Sequence, residues 1–443
     1  MNALVISSQP PLKTSGIAAW DFHKNLLNHG HSAKFLTLYS PPSQEDSIIS
    51  YFDNNLAKTL FLVRRRILRQ KAKQVDPDYY YNGETLIPPF ISTEKIMKKL
   101  QDFNPDVIII FFEKRFLTAQ TIYELNQMTG APVYWYLMDM QPMTGGCSYT
   151  GDCLGYQNQC GNCPAILSTN PNDITAKNLR NAVSYYEKMD LTIIAASEQL
   201  STQAASSTLF GKKRIAKIPI GINEQLFKPL NADQKITVRT KYNIPIDKKI
   251  IFFGAVSTLE KRKGAALLLE AFHLLTTEHE EEIDLGHIAI VIAGSFSKEL
   301  KAQLEPLINF SFPIHSLGFL DTHESLAEVL GASDIFISAS VEDSGPMMVN
   351  QAIMCGTPVV AFNIGVAQDL VINGVSGQNV GTINSKQLAD GIYHLISMEE
   401  THFAELRKKT AALGIATCSL EANYQSFKKL VKTPMSQYHE IAN

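Results

Sequence analysis

The chain has 443 residues, 40 Lys plus Arg against 43 Asp plus Glu, with 45% hydrophobic and 19% charged residues. That balance excludes a disordered, collagenous or coiled-coil protein, and the length predicts two or three domains rather than one core or a repeat array. A formal net charge of −3 excludes a surface built as a whole for nucleic acid and leaves local basic patches open.

Residues 1–10 carry no cationic segment and only a short apolar run, which predicts a first strand and no secretion signal. Apolar runs such as Val107 to Phe112 and Ile250 to Phe253 fall well short of the roughly 18 residues of a membrane span. The expectation is a cytoplasmic chain, soluble or peripheral on the inner face of a membrane.

Apolar runs then alternate with helical periodicities, which predicts an α/β protein. A strand at 3–7 leads through a Pro/Ser/Gly loop to a helix from about Gly16, carrying Phe22, Leu26 and Leu27 and stopping at Gly30. Strands follow at 34–38, 106–111, 132–137, 191–195 and 214–218, with helices at 174–188 and 197–207. This is half of a doubly wound sheet. The polar stretch 230–249 reads as a domain linker. Beyond it, strands at 250–253, 287–293, 313–317, 334–338 and 358–361 alternate with helices at 264–277, 298–307, 322–331, 346–354 and 385–397. The second series predicts a second Rossmann-like unit. Neither series contains the glycine fingerprint of dinucleotide-binding folds or a P-loop.

Three segments stand out from this frame. Between 56 and 73, Lys58, Arg64, Arg65, Arg66, Arg69, Lys71 and Lys73 occur without an acid, while Leu56, Leu60, Val63 and Ile67 recur as one helical stripe. Such a helix suits an anionic membrane surface, or a face packed on its own domain. The cation run from 64 to 73 has no aromatic residue for base stacking, which argues against nucleic acid. Second, Cys147, Cys153, Cys160 and Cys163 are spaced C-x5-C-x6-C-x2-C among glycines and asparagines. In a reducing compartment such a cluster more often holds metal than forms disulfides. Four thiolates suit structural zinc, with an iron–sulfur cluster as the alternative. Cys355 and Cys418 read as buried apolar residues.

The third segment is 340–361, SVEDSGPMMVNQAIMCGTPVVA, at the carboxyl end of a strand and running into a helix. Ligands of α/β sheets bind at that edge. Glu342 sits where the strand stops, Gly345 admits a close ligand, and Pro346 opens a helix whose first N–H groups favour an anion. Upstream, Glu260-Lys-Arg-Lys precedes Gly264, either a solvated charge run or a grip for phosphate.

Segment 340–361, Ser15-Gly16, Pro219 to Pro229, Lys263-Gly264 and the tail Ser419 to Tyr424 together resemble the retaining glycosyltransferases of family 4. The Cys-rich insert resembles that of a colanic-acid-type subset. The resemblance covers nearly the whole chain and implies a GT-B fold, two Rossmann-like domains facing a central cleft. They would span 1–220, with the insert at 144–164, and 230–415, with 416–443 as a helix returning to the first domain. It implies a hexosyltransferase-type enzyme that moves a sugar, with retention, from a nucleoside diphosphate sugar to a glycan acceptor. A polyprenyl-linked acceptor in surface polysaccharide synthesis fits best, and no catalytic divalent metal is expected. The catalytic residues implied are Glu342, Lys263, Arg262 and Asp139. The donor-binding set is Ser15, Gly16, Gly254, Gly318, Ser344, Gly345, Pro346, Met347 and Asn350. Three positions depart from the family: Asn350 replaces the second Glu of its pair, Ala255 an Arg, and Met138-Asp139 a His-Asp. These departures keep open a catalytically weak scaffold or binding subunit. A GT-B phosphorylase finds no resemblance to a pyridoxal-phosphate lysine environment.

Overall fold

A computed structural model describes residues 1–11, 16–40, 45–68, 72–83, 91–257, 260–279, 285–295, 313–345 and 347–433. The chain divides into two units, Met1–Ile218 together with the chain from Tyr424, and Pro219–Asn423.

The first unit opens with β1 (Asn2–Ser7), α1 (Ile17–Asn28), β2 (Ser32–Thr37), β3 (Ile48–Ser50), α2 (Asn55–Leu68) and α3 (Thr93–Leu100). It continues with β4 (Val107–Phe112), α4 (Ala119–Thr129), β5 (Val133–Leu137), α5 (Ile174–Tyr186), β6 (Leu191–Ala195), α6 (Glu198–Ser206) and β7 (Arg214–Lys217). The seven strands form a parallel sheet ordered β3-β2-β1-β4-β5-β6-β7. Helices cover both faces of such a sheet, so its central strands are apolar throughout rather than alternating. That is why β4 reads Val-Ile-Ile-Ile-Phe-Phe and why Ile108, Ile110, Val133, Trp135 and Ile193 are all in the core.

In the second unit, α7 (Ala232–Lys241), β8 (Lys249–Ser257), α8 (Ala265–Glu278), β9 (Ile288–Ser295), β10 (Ile314–Gly318) and α9 (His323–Ala332) come first. Next are β11 (Ile335–Ser338), α10 (Met347–Met354), β12 (Val359–Phe362), α11 (Ala367–Leu370), β13 (Gly377–Val380), α12 (Ser385–Ile396) and α13 (Glu400–Cys418). Its six parallel strands are ordered β10-β9-β8-β11-β12-β13. The expected helix at 298–307 lies outside the described residues.

The polar stretch 230–249 is not a linker. Asn231 and Gln234 close a capping box at the start of α7, and the buried Arg239 donates to Ala332 O at 3.0 Å, Lys248 O at 2.9 Å and the Asp334 carboxylate at 2.8 Å. A guanidinium satisfied by main-chain acceptors ties the segment into the second unit, and its polarity conceals that attachment in the sequence.

The last described helix, α14 (Leu420–Lys432), begins in the second unit and passes into the first at Tyr424. There Phe427, fully buried, lies with ring centroids 5.0 Å from Phe22 and 5.5 Å from Tyr134. Tyr424 stacks on His29 at 3.6 Å, and Arg214 donates to Leu430 O and Thr433 O, both at 2.9 Å.

Candidate functional site

In each sheet the strand order reverses beside its first strand, and ligands of open α/β sheets bind outside the carboxyl ends at that switch point. In the second unit the reversal lies between β8 and β11. The loop after β8 makes a 3₁₀ turn at Lys261–Lys263 and ends on Gly264, whose φ of +65° is left-handed. A Cβ there would stand 1.9 Å from Ala339 O, so this position admits only glycine. Val341 N–H donates to Arg262 O at 2.8 Å. The loops after β8 and β11 are therefore fastened together.

That fastening brings the expected cations and the expected carboxylate to one place. Arg262 Nη1 and Lys263 Nζ both donate to Asp343 Oδ2, at 2.9 and 2.6 Å, and Arg262 Nη2 reaches Glu260 at 2.7 Å. Asp343 is 6% exposed, and its other oxygen accepts Gly345 N–H at 3.3 Å. Glu342, half-buried, is its neighbour in the chain. Ser344 is buried beside them, and Met347 opens α10. Around Gly345 there is space, since a Cβ would meet only Val366, at 3.9 Å. Gly254 lies under Met348, whose Cε would be 2.7 Å from a Cβ. Gly318 ends β10 at φ +69°. Asn350 is 2% exposed, and its amide nitrogen is turned to Ile220 O at 3.4 Å, so it belongs to the interior of this unit. Ser15 and Pro346 lie outside the described residues. Gly16 caps α1, where a Cβ would be 2.1 Å from Pro10 O.

The first unit holds a cavity of about 180 Å³ at the carboxyl ends of β4 and β5, lined among others by Arg65, Glu113, Lys114, Arg115 and Trp135. Burial, and then the nearby Asp139 carboxylate, raise the Glu113 carboxyl to about 7, while burial lowers the Lys114 ammonium. Asp139 itself accepts Gln141 N–H at 2.8 Å. The Trp135 indole N–H is buried with no partner among the described residues.

Neither Asp343 nor this pocket is apparent in the sequence. Asp343 resembles any acid beside a signature glutamate, and Arg65 is one of three consecutive arginines. In α2 the helix turns Phe61 and Arg65 inward and leaves Leu56, Leu60, Val63 and Ile67 between 52% and 74% exposed. The apolar stripe is therefore an outward face. Arg65 is separated from the exposed Arg64 and Arg66 and joins the pocket. Arg69 and Lys71 lie outside the described residues.

The four clustered cysteines line one further cavity, sharing Thr144 and Gly145 with the pocket above. Cys160, Gly161 and Asn162 have φ of +53°, +85° and +46°, and Cys163 N–H is held by the buried Asp173, the N-cap of α5, at 3.1 Å. Burial pushes the Cys160 thiol up to about 11 and Cys163 upward. Against this, the main-chain amides of Gly145, beside Cys160, and of Ala165 and Ile166, beside Cys163, work to lower them. Cys355 and Cys418 are fully buried, as expected.

Comparison with known proteins finds similarity to a known family in the second unit. Residues 234–412 match the glycosyl transferases group 1 family. An uncharacterized glycosyltransferase of Methanocaldococcus jannaschii is 25% identical over 246 residues, 55% of this chain and 59% of that protein. The chain spans less than two thirds of the length of the curated relatives it matches. Among solved structures, sucrose-phosphate synthase from Thermosynechococcus elongatus superimposes with a TM-score of 0.65 at 17% identity, over 97% of this chain and 98% of that one. Anabaena Alr3699/HepE in complex with UDP-glucose gives 0.61 at 16%, over 98% and 100%. These likenesses show the fold: two Rossmann-like units of the GT-B type, with the group 1 glycosyltransferase match in the second. No described helix is long and apolar enough to cross a membrane.

Proposed function

We propose that this protein is a retaining glycosyltransferase that takes a sugar from a nucleoside diphosphate donor, held by the second unit, to a polyprenyl-linked glycan acceptor held by the first. The observation that carries the reading is the convergence of Arg262, Lys263 and Asp343 at the β8/β11 switch point, with Glu342 next to Asp343 in the chain, within the residues that match the group 1 family. Charge develops on the departing diphosphate, and cations already fixed in place stabilise it without reorganising. Asp343 holds both heads at one oxygen, and their attraction for the diphosphate grows as negative charge builds on it with the breaking of the glycosidic bond. Glu342 orients sugar hydroxyls and so positions the anomeric carbon. Retention then follows from attack on the face the diphosphate leaves, its oxygen taking the acceptor proton. The bound UDP-glucose of the Anabaena protein supports a nucleotide sugar as donor.

In the first unit, Arg65, Lys114 and Arg115 around one cavity suit the phosphate of a lipid-linked acceptor. The outward apolar stripe of α2, flanked by Arg64 and Arg66, suits an anionic membrane surface in surface polysaccharide synthesis.

The test is turnover of a panel of nucleoside diphosphate sugars with and without lipid-linked acceptor. One donor should be consumed, and Lys263→Ala should lower kcat by roughly 10²- to 10³-fold with little change in KM. Full activity in that variant would move the diphosphate elsewhere. No turnover of any donor would favour a binding subunit, the reading to which the interior position of Asn350 lends weight.

A further inference from the structure

The four cysteines of the insert bear on no step of sugar transfer, yet the fold gathers them. Between β5 and α5 the chain departs from the sheet for 36 residues and returns with Cys147, Cys153, Cys160 and Cys163 around one cavity. Holding Cys160 and Asn162 at left-handed φ opposes side-chain sterics. Gly161 between them could be nothing else, because a Cβ would lie 2.2 Å from Pro171 O. Strain of this kind persists where the surroundings enforce it, and here it delivers the last two thiols to the same cavity.

Two features of the cavity decide what it takes. A zinc ion holds four sulfurs at about 2.3 Å, which sets them roughly 3.8 Å from one another and leaves no room for water between them. Here the space among the thiols admits the centre of a water over about 30 Å³, when roughly 10–15 Å³ is enough for one molecule. Among the described residues, the three-membered sets of ligating atoms within 4.8 Å of one another include Glu278, His279 and Asp390 and no set of these sulfurs. As placed, no three of these sulfurs lie close enough together to share one small ion, and all four line one cavity with room left between them. The lining is almost wholly apolar apart from the sulfurs and threonine hydroxyls.

We infer that Cys147, Cys153, Cys160 and Cys163 hold an iron–sulfur cluster, each binding as a thiolate after losing its proton to solvent. Of the two ligands that the spacing allows, the room between the sulfurs selects the cluster over zinc. Thr144 and Gly145 wall both this cavity and the cationic pocket of the first unit, so the cluster braces one side of that pocket. The inference stands on the insert alone and does not depend on the proposed transfer reaction.

The full chain, purified without oxygen or supplied with ferrous iron and sulfide, should be brown, with iron and acid-labile sulfide in about equal amounts. Its visible absorption should bleach with dithionite, and Cys160→Ala should lose iron and colour. About one zinc per chain retained through the same purification, with no sulfide, would overturn the inference. So would four thiols that titrate fully after reconstitution with no iron bound. Both are measured on the unaltered chain, so a variant that fails to fold leaves the result readable.

Discussion

Glu113 directly follows β4, whose residues are all apolar, and burial lifts its carboxyl from 4.5 to about 7. The folded chain then holds this proton more tightly than the unfolded chain does, so the associated stability is present below about pH 4.5 and is lost as pH rises towards 7. The loss should be on the order of 1–3 kcal/mol, moderated by the partial exposure of the side chain. Urea titrations across that range should show the decline in the parent chain and a flatter profile in Glu113→Gln, and identical profiles would assign the proton to another group. The same scale shows where a sequence falls silent. Gly264 could be read as part of a Lys-Gly pair, but its need for a bare Cα depends on Ala339 O, 75 residues away in the chain. Asp343 was hidden for a related reason, since its meaning lies in two cations on another loop.

Among the elements, α2 has the face that most needs an explanation. Its charge and stripe were legible, whereas the direction of the stripe was not. Periodicity identifies one apolar face, and in α2 the inward side is built from Phe61 and Arg65 instead. Flotation with phosphatidylglycerol vesicles should therefore show binding that weakens with added salt, each surface cation contributing on the order of 1 kcal/mol. Arg64→Glu with Arg66→Glu should release the chain, while Arg65 is left alone because it lines the pocket. Equal flotation by parent and variant would return α2 to an ordinary solvated helix. Legibility elsewhere followed burial. The β4 run, covered on both faces, was unmistakable. β3, with three half-buried residues, and β13, Gly-Gln-Asn-Val, offer too little apolar pattern to be seen, and α7 is concealed by a polarity that serves main-chain acceptors.

At the scale of the whole molecule, the two series of alternating elements announce two units, and the structure separates them at Ile218 and Pro219. What no local pattern conveys is that the first unit is finished by α14, more than two hundred residues further along the chain. Phe427 fills a gap between Phe22 and Tyr134, and emptying such a site costs about 3–5 kcal/mol. Calorimetry of Phe427→Ala should show one transition moved to lower temperature and assigned to the first unit by its loss of Trp20 and Trp135 fluorescence, the other unchanged. A uniform shift of both would mean that the units unfold as one.

The placement of that helix has a consequence during synthesis. After residue 218 leaves the ribosome, some two hundred residues of the second unit follow before Tyr424 is made, a delay of roughly 10 to 40 s at usual rates of elongation. Throughout that interval the pocket lined by Phe22 and Tyr134 has no occupant from its own chain, while the second unit is free to fold as soon as it emerges. The part made first is thus the part completed last, and any early assistance from chaperones would fall on the amino-terminal sheet.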